Sequence, residues 1–222
     1  MIILLTNDDG IHSEKIEITK KVLEKFGTVY RIAPKEQMSA KSMSLTIGGF
    51  DFDKIDEHNY AIYGTPVDCV NFAYAGLGLM PDLVVSGTNN GYNIGIDTRY
   101  SGTMGAALQA QYYGFNSIAL SADRKGNSIL EEDLEKVIQY IFDNDLLSID
   151  YSLNVNFARE KFTHSKGIKH TDVYYQVFEY NPEIEGNRLM PNRRFVMGQH
   201  LPEESDALAY KEWYTSISKI KV

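Results

Sequence analysis

The chain begins with a short apolar run that ends in two adjacent carboxylates. Ile2 to Leu5 are all aliphatic, and Thr6 leads directly into Asn7-Asp8-Asp9-Gly10. A run of this length predicts a strand buried on both faces, which is typical of parallel sheets. Ligands of such sheets bind beyond the carboxyl ends of the strands. Two negative charges repel each other at that edge, and a divalent cation that prefers carboxylate oxygens is the usual way to offset them.

Strands then alternate with helices to about residue 145, and this order predicts a doubly wound α/β sheet. Apolar runs at 28–33, 82–86 and 117–121 predict further buried strands. A hairpin is predicted between Leu45-Thr46-Ile47 and Tyr60-Ala61-Ile62-Tyr63. From Leu153 onward, short strands rich in Tyr and Phe predict a β-rich extension or an oligomer contact.

Helix starts and ends are marked by local signals. Ser13 is the expected N-cap of a first helix that ends at Gly27. Thr65 and Asp68 have the spacing of a capping box, so we expect Asp68 to cap rather than to catalyse. Another box is predicted at Ser128-x-x-Glu131. Ser101-Gly102-Thr103 opens a helix that runs to Tyr113, with Gly114 as its C-cap.

Composition and charge exclude several classes of function. The 222 residues carry a formal net charge of −8, which disfavours a nucleic-acid duplex as partner because such a surface needs a basic face. We expect no membrane partner, because no stretch is apolar over the length of a membrane span. The start of the chain lacks the basic region of a signal peptide. A lone cysteine, Cys69, excludes an intramolecular disulfide, and we expect a cytoplasmic protein.

Three polar loops are predicted to leave strand ends at one edge of the sheet, at residues 7–10, 35–44 and 87–102. They offer oxygen donors and no cluster of cysteine or histidine, which favours Mg²⁺, Mn²⁺ or Ca²⁺ over zinc. Backbone amides at the start of the helix after Ser101, with the hydroxyls of Ser101 and Thr103, predict an anion site. A simple turn at 7–10 and capping by Ser101 are the structural alternatives.

Short motifs follow one another in a fixed order along nearly the whole chain. They are Leu5-Thr6-Asn7-Asp8-Asp9-Gly10-Ile11, Ala33-Pro34, Ser39-x-x-x-x-Ser44-Leu45-Thr46, Gly64-Thr65-Pro66-x-Asp68-Cys69-Val70, Pro81-Asp82-Leu83-Val84-Val85-Ser86-Gly87-x-Asn89-x-Gly91-x-Asn93-x-Gly95-x-Asp97, Tyr100-Ser101-Gly102-Thr103, Leu153-Asn154-x-Asn156, Asp206-x-x-Ala209 and Trp213-Tyr214-Thr215-Ser216. Together these motifs resemble the SurE (survival protein E) family of metal-dependent nucleoside-monophosphate phosphatases.

The resemblance implies a reaction, a substrate and a metal site. The reaction is the hydrolysis of nucleoside 5′- and 3′-monophosphates to nucleoside and phosphate. One divalent cation per subunit, Mg²⁺ or Mn²⁺, is expected on Asp8, Asp9, Ser39 and Asn89. The residues expected to bind phosphate or substrate are Asn89, Asn93, Ser101, Gly102 and Thr103. Asp8 and Asp9 are the candidate catalytic residues through a metal-activated water, and the general base is left open.

The resemblance also implies a single domain over residues 1–222. Its Rossmann-like α/β core, with a mostly parallel sheet, is expected to cover about residues 1–158. A C-terminal β-rich extension of about residues 159–222 is expected to be exchanged between subunits, which predicts a homodimer or a homotetramer.

Three positions depart from the pattern of the family. Met38 and Asn90 stand where arginine is common, and Met43 replaces a polar residue. Lys35, Lys41 or Arg99 are the candidates to replace the missing positive charge. The departures leave an alternative function open, a metal- or nucleotide-binding protein of the same fold with little turnover.

Two other classes fit the residues poorly. Response-regulator receiver domains need an aspartate at the end of the strand where this chain has Ser86-Gly87. Haloacid-dehalogenase phosphatases need Asp-x-Asp, whereas Asp8 and Asp9 are adjacent. We expect His12, which lies near this pair, to be a solvated loop residue ahead of the Ser13 cap.

Overall fold

The computed structural model describes residues 1–196 and 200–221. In these residues the strands are β1 (Ile2–Thr6), β2 (Thr28–Pro34), β3 (Phe52–Lys54), β4 (Asn59–Ile62), β5 (Leu83–Asn90), β6 (Asn116–Ala122), β7 (Ser152–Asn156), β8 (Ile168–Thr171), β9 (Phe178–Tyr180), β10 (Glu183–Glu185), β11 (Arg188–Met190), β12 (Arg193–Phe195) and β13 (Thr215–Ile220). The helices are α1 (Glu14–Leu23), α2 (Pro66–Asn71), α3 (Asp97–Tyr100), α4 (Gly102–Tyr112), α5 (Ser128–Asp143) and α6 (Asp206–Lys211), and a π-helical turn, Phe72–Gly76, follows α2.

Nine of these strands form one sheet in the order β3-β4-β2-β1-β5-β6-β7-β13-β8. The six strands from β4 to β7 in this order run parallel to one another, and β3 and β13 are antiparallel to their neighbours β4 and β7. Alternate residues of β1 point to opposite faces, so Ile3 and Leu5 pack in a cluster with α1 and α5, whereas Leu4 packs in a cluster with α2 and α4. The predicted α/β class and mostly parallel sheet are confirmed.

The predicted hairpin is wrong in its first strand. The strand that pairs with β4 is β3, and residues 45–47 form no strand. The reason is a tertiary contact: the amide and the hydroxyl of Thr46 both donate to the Asp68 carboxylate, at 3.1 and 2.6 Å. These bonds hold the segment against the start of α2 as a loop.

The predicted helix caps are confirmed where the capping residue lies next to the helix in the sequence. Ser13 caps α1, and Thr65 with Asp68 forms the predicted capping box of α2. The first helix ends at Leu23 rather than at Gly27. Gly27 instead allows the Met1 backbone to pack against it, because a Cβ on Gly27 would lie 2.2 Å from the Met1 carbonyl oxygen. The predicted box at α5 is wrong, since Glu160, far along the chain, bonds Ser128 and the Ile129 amide.

The C-terminal segment both extends the sheet and leaves it. It supplies β13, which pairs with β7, and β8, which pairs with β13 at the edge. Between them in the chain, β9 pairs with β12 and β10 pairs with β11. Residues 178–195 therefore form two nested antiparallel pairs, which we call the hairpin arm. Within the described residues, no helix has both the length and the apolar character required to span a bilayer.

Candidate functional site

The loops after β1, β2 and β5 meet at the carboxyl edge of the sheet, as expected for strands that run parallel. They surround a cavity of about 450 Å³, which we call the central cavity. Its walls include Asp8, Ser39, Asn89, Ser101, Arg124 and Arg193. The structure therefore brings residues from all three predicted segments to one place, although the third loop begins only at Gly91, because β5 extends to Asn90 and includes Asn89.

Asp8, in the loop after β1, is buried against the start of α4. Its Oδ1 accepts a 2.7 Å hydrogen bond from the Thr103 hydroxyl, and its backbone oxygen accepts one from the Met38 amide at 2.7 Å. Gly102 packs against it so closely that a Cβ on Gly102 would lie 3.2 Å from the Asp8 Cβ. Burial raises the pKa of Asp8 from 3.8 to about 6, the Thr103 bond opposes this rise, and the charge of Asp9 adds to it.

Asp9 is held by the last residue of β5. Its Oδ2 accepts a 2.7 Å hydrogen bond from the Asn90 amide. Burial raises the pKa of Asp9, while the Asn90 bond and the positive charges of Lys15 and Arg124 lower it. The acidic pair is thus largely removed from water, with only partial compensation by basic groups.

Ser39 and Asn89 add neutral oxygen atoms to the wall of the central cavity. The Ser39 hydroxyl is exposed and accepts a 2.9 Å bond from the Gln37 amide group. Asn89 donates through Nδ2 to the Gly91 carbonyl at 2.8 Å, so its other terminal atom is the oxygen that a cation would need. Among the described residues, no group of three or more His, Cys, Asp or Glu side chains is arranged to hold a metal ion. A cation at this edge would therefore need the hydroxyl and amide oxygens as well as the carboxylates.

The predicted substrate-binding residues have structural partners of their own. Asn93 lies on the cavity wall, but its side-chain amide donates to the Ser121 hydroxyl at 2.8 Å. Its backbone is held by Asn154 and Asn156 from β7. Ser101 caps α4 by accepting the Met104 amide at 3.1 Å. His12 is exposed, as expected.

None of the three basic residues predicted to replace the missing arginines lines the central cavity. Lys35 pairs with Asp53, and Arg99 donates to the Tyr175 hydroxyl. The basic groups in the cavity are Arg124 and Arg193, which sequence reasoning missed. Arg124 follows the carboxyl end of β6, a position that the strand-end rule could have indicated. Arg193 comes from the hairpin arm, and no motif marks it.

A second cavity of about 870 Å³ lies beside the first, and we call it the side cavity. It shares Tyr92, Asp97 and Arg124 with the central cavity. Its other walls carry Lys125, Arg159, Lys161 and Tyr210. The side cavity is thus lined by long basic and aromatic side chains, in contrast to the short oxygen-bearing side chains of the acidic edge.

Comparisons with known proteins agree with the observed fold. A family model described as survival protein SurE matches residues 3–179. A protein named 5′-nucleotidase SurE from Actinobacillus succinogenes is 41% identical over 173 residues, which are 76% of this chain and 70% of that protein. Another 5′-nucleotidase SurE, from Haemophilus influenzae, is 34% identical over 229 aligned positions that cover 100% of this chain and 91% of the relative. The crystal structure of a SurE protein from Aquifex aeolicus matches with a TM-score of 0.87 and 31% identity, and covers 100% of this chain and 93% of that one.

Proposed function

The chain belongs to the SurE survival protein family, and we propose that it is a divalent-metal-dependent phosphatase that hydrolyses nucleoside 5′- and 3′-monophosphates to nucleoside and phosphate. Relatives named 5′-nucleotidase and 5′/3′-nucleotidase support this class of hydrolase. The observation that supports it most is that buried Asp8 lines one cavity with Ser39 and Asn89.

The proposed cofactor is one Mg²⁺ or Mn²⁺ ion per subunit, held by Asp8, Asp9, Ser39 and Asn89. Carboxylate, hydroxyl and amide oxygens are the donors that such hard cations prefer, so the residues present fit the group. Burial raises the pKa values of both Asp8 and Asp9, because their negative charges are poorly hydrated there. A bound cation would offset these two charges. When bound, the cation supplies Lewis-acid polarisation of the phosphoryl oxygens.

Other residues in and beside the central cavity would bind and orient the phosphate. The start of α4 presents the amides of Gly102 and Thr103 beside the Ser101 hydroxyl, and a helix N-terminus favours anions. Asn89 and Asn93 add amide groups on the cavity wall, and Arg124 and Arg193 add positive charge that matches phosphoryl oxygens. The general base is not assigned, because a carboxylate committed to a metal is a poor base.

The alternative, a binding protein with little turnover, was suggested by Met38 and Asn90. Arg124 weakens that alternative, because its Nε donates to the Asn90 carbonyl at 3.1 Å and its guanidinium packs on Gly91. Positive charge is therefore present beside Asn90, although it comes from the end of β6.

We also propose that the protein is a cytoplasmic homodimer or homotetramer that assembles through its C-terminal extension. Support comes from the hairpin arm, where Tyr180, Ile184 and Leu189 are 50%, 76% and 61% exposed. An isolated two-stranded hairpin is only marginally stable in water, so apolar residues on it favour burial against another subunit. Sedimentation equilibrium of the chain, with a variant lacking the arm as comparison, tests this proposal.

Phosphate release tests the proposed reaction. The purified chain is incubated with a panel of nucleoside 5′- and 3′-monophosphates in Mg²⁺, Mn²⁺ or EDTA. We expect release that requires the metal and ranks the substrates. Nucleotide that binds with metal but is never hydrolysed would instead support the binding protein.

A further inference from the structure

The side cavity adjoins the central cavity, and Gly91, Tyr92, Asp97 and Arg124 line both. At about 870 Å³ it lies near the top of the range, about 300–1,000 Å³, of pockets that enclose drug-sized ligands. A phosphate ester held in the central cavity would enter the side cavity by extending past Arg124. The volume exceeds what a single nucleobase needs.

Four basic side chains line the side cavity: Arg124, Lys125, Arg159 and Lys161. Among the described residues, none of the four has a carboxylate oxygen within ion-pair distance. The carboxylates of Asp97, Asp123 and Glu160 line the same cavity, so the formal excess is one positive charge, in a chain of net charge −8. Basic groups that form no ion pair around one cavity favour an anionic ligand.

The acidic residues of the same cavity are occupied by other donors. Asp123 accepts bonds from the amides of Lys125 and Glu160, and Asp97 pairs with Arg193. Glu160 caps α5 through the Ile129 amide at 2.8 Å. These carboxylates keep their negative charge but are held by groups of the fold, and none of them forms an ion pair with the four basic side chains.

An aromatic wall completes the side cavity. Tyr92 and Tyr210 meet edge to face with ring centroids 4.8 Å apart, and Phe195 lies 5.4 Å from Tyr210. The Arg159 guanidinium lies 4.8 Å from the centre of the Tyr210 ring. Aromatic rings beside arginine are the surfaces on which nucleobases stack. The cavity thus combines features that suit a base with features that suit a phosphate.

We propose that the side cavity receives the nucleoside and second phosphate of a nucleoside 3′,5′-bisphosphate, whose other phosphate is hydrolysed in the central cavity. The inference rests on the proposed function and names its preferred substrate class. Water supplies the oxygen that joins the released phosphate, the bond between phosphorus and the ribose oxygen breaks, and that oxygen leaves as a hydroxyl after taking a proton. The second phosphate stays on the nucleoside.

Steady-state kinetics with three substrates test the proposal: adenosine 3′,5′-bisphosphate, adenosine 5′-monophosphate and p-nitrophenyl phosphate. We expect the KM for the bisphosphate to be about tenfold below that for the monophosphate, because charge-assisted bonds to a second phosphate add affinity. The double variant Lys125→Gln/Lys161→Gln should raise the bisphosphate KM about tenfold. It should leave hydrolysis of p-nitrophenyl phosphate unchanged, since that ester has no second phosphate.

A matched double variant, Lys21→Gln/Lys136→Gln, removes the same charge from the exposed faces of α1 and α5 and should change nothing. Equal KM values for the two nucleotides in the unmodified enzyme would overturn the proposal. An equal loss on all three substrates in the Lys125→Gln/Lys161→Gln variant would overturn it as well, because the lysines would then act on the common phosphate.

Failure of the proposed function has a different signature. It would show as no metal-dependent release from any of the three substrates. In that case, isothermal titration calorimetry in EDTA measures the affinity for the bisphosphate and so tests the side cavity as a binding site. Affinity that falls about tenfold in the Lys125→Gln/Lys161→Gln variant supports the cavity as the site, and unchanged affinity rejects it.

Discussion

The central and side cavities share a wall but are built in opposite ways. The acidic edge of the central cavity uses short side chains at or beyond the carboxyl ends of β1, β2 and β5, such as Asp8, Ser39 and Asn89. The side cavity uses long side chains such as Arg159 and Tyr210, and most of its distinctive wall comes from the second half of the chain. A parallel sheet brings strand ends together whatever the loops contain. The chemistry at those ends is therefore readable from sequence, whereas the neighbouring recognition surface depends on how distant segments pack.

The largest effect is expected from a substitution that changes the central cavity alone. Asp8→Asn should lower metal-dependent kcat/KM at least about 100-fold, because a metal site contributes several kcal/mol of transition-state stabilisation. The matched control is Asp150→Asn, which removes one exposed carboxylate and should retain full activity. Phosphate release in Mg²⁺ and Mn²⁺ is the measurement. Full metal-dependent activity in Asp8→Asn would reject Asp8 as a ligand.

The same substitution should stabilise the metal-free protein. Burial raises the pKa of Asp8 from 3.8 to about 6, so the folded state binds this proton more tightly than the unfolded state. The stability from this group is fully present below about pH 3.8 and is lost as the pH rises through about 6. At 1.36 kcal/mol for each pKa unit, the loss is about 3 kcal/mol.

Urea unfolding in EDTA measures this effect. Asp8→Asn should exceed the unmodified chain in free energy of unfolding by up to about 3 kcal/mol at neutral pH and match it near pH 4. Asp150→Asn should follow the unmodified chain at both pH values. A difference that is the same at acidic and neutral pH would mean that the Asp8 charge is not the cause.

Asp206 joins the loop after β5 to the C-terminal segment, and its removal should loosen that contact. Its carboxylate is fully buried and accepts the amides of Gly95, in the loop after β5, and Tyr174, in the C-terminal segment, at 2.8 and 3.0 Å. Asp206→Ala leaves the buried Gly95 amide and the partly buried Tyr174 amide without acceptors, at about 1–3 kcal/mol for a fully buried group. The loss is partly offset because burial already raises the pKa of this carboxyl and disfavours its charge. We expect a net loss of about 2 kcal/mol.

Unfolding by urea at neutral pH measures that loss, and Asp172→Ala provides the comparison because Asp172 is exposed beside the same segment. Kinetic parameters of Asp206→Ala should change for nucleotides more than for p-nitrophenyl phosphate, since Tyr174 belongs to the segment that packs beside the side cavity. A variant as stable as the unmodified chain would show that the loop and the C-terminal segment are held by other contacts.

The sequence predicted the features that local rules control. The strand before Asp8, the cap at Ser13 and the box at Thr65 and Asp68 were all found as expected. Predictions failed where a distant partner decides the structure. Thr46 was expected in a strand but is bonded to Asp68, and Arg124 rather than Lys35 supplies charge beside the acidic edge. No periodicity or motif encodes such pairs, because they exist only after the chain has folded.

The smallest expected effect separates the two kinds of helix cap. Glu160 borders the side cavity and bonds the first turn of α5, so Glu160→Ala should cost about 1 kcal/mol, as loss of an N-terminal cap does. Glu131→Ala removes the residue that the local pattern assigned to this role and should cost less than about 0.5 kcal/mol, as exposed substitutions usually do. Thermal or urea unfolding of the two variants measures the difference. A larger loss of unfolding free energy in Glu131→Ala than in Glu160→Ala would show that the local capping box does form. The start of α5 would then no longer be an example of a structure that depends on a residue distant in the sequence.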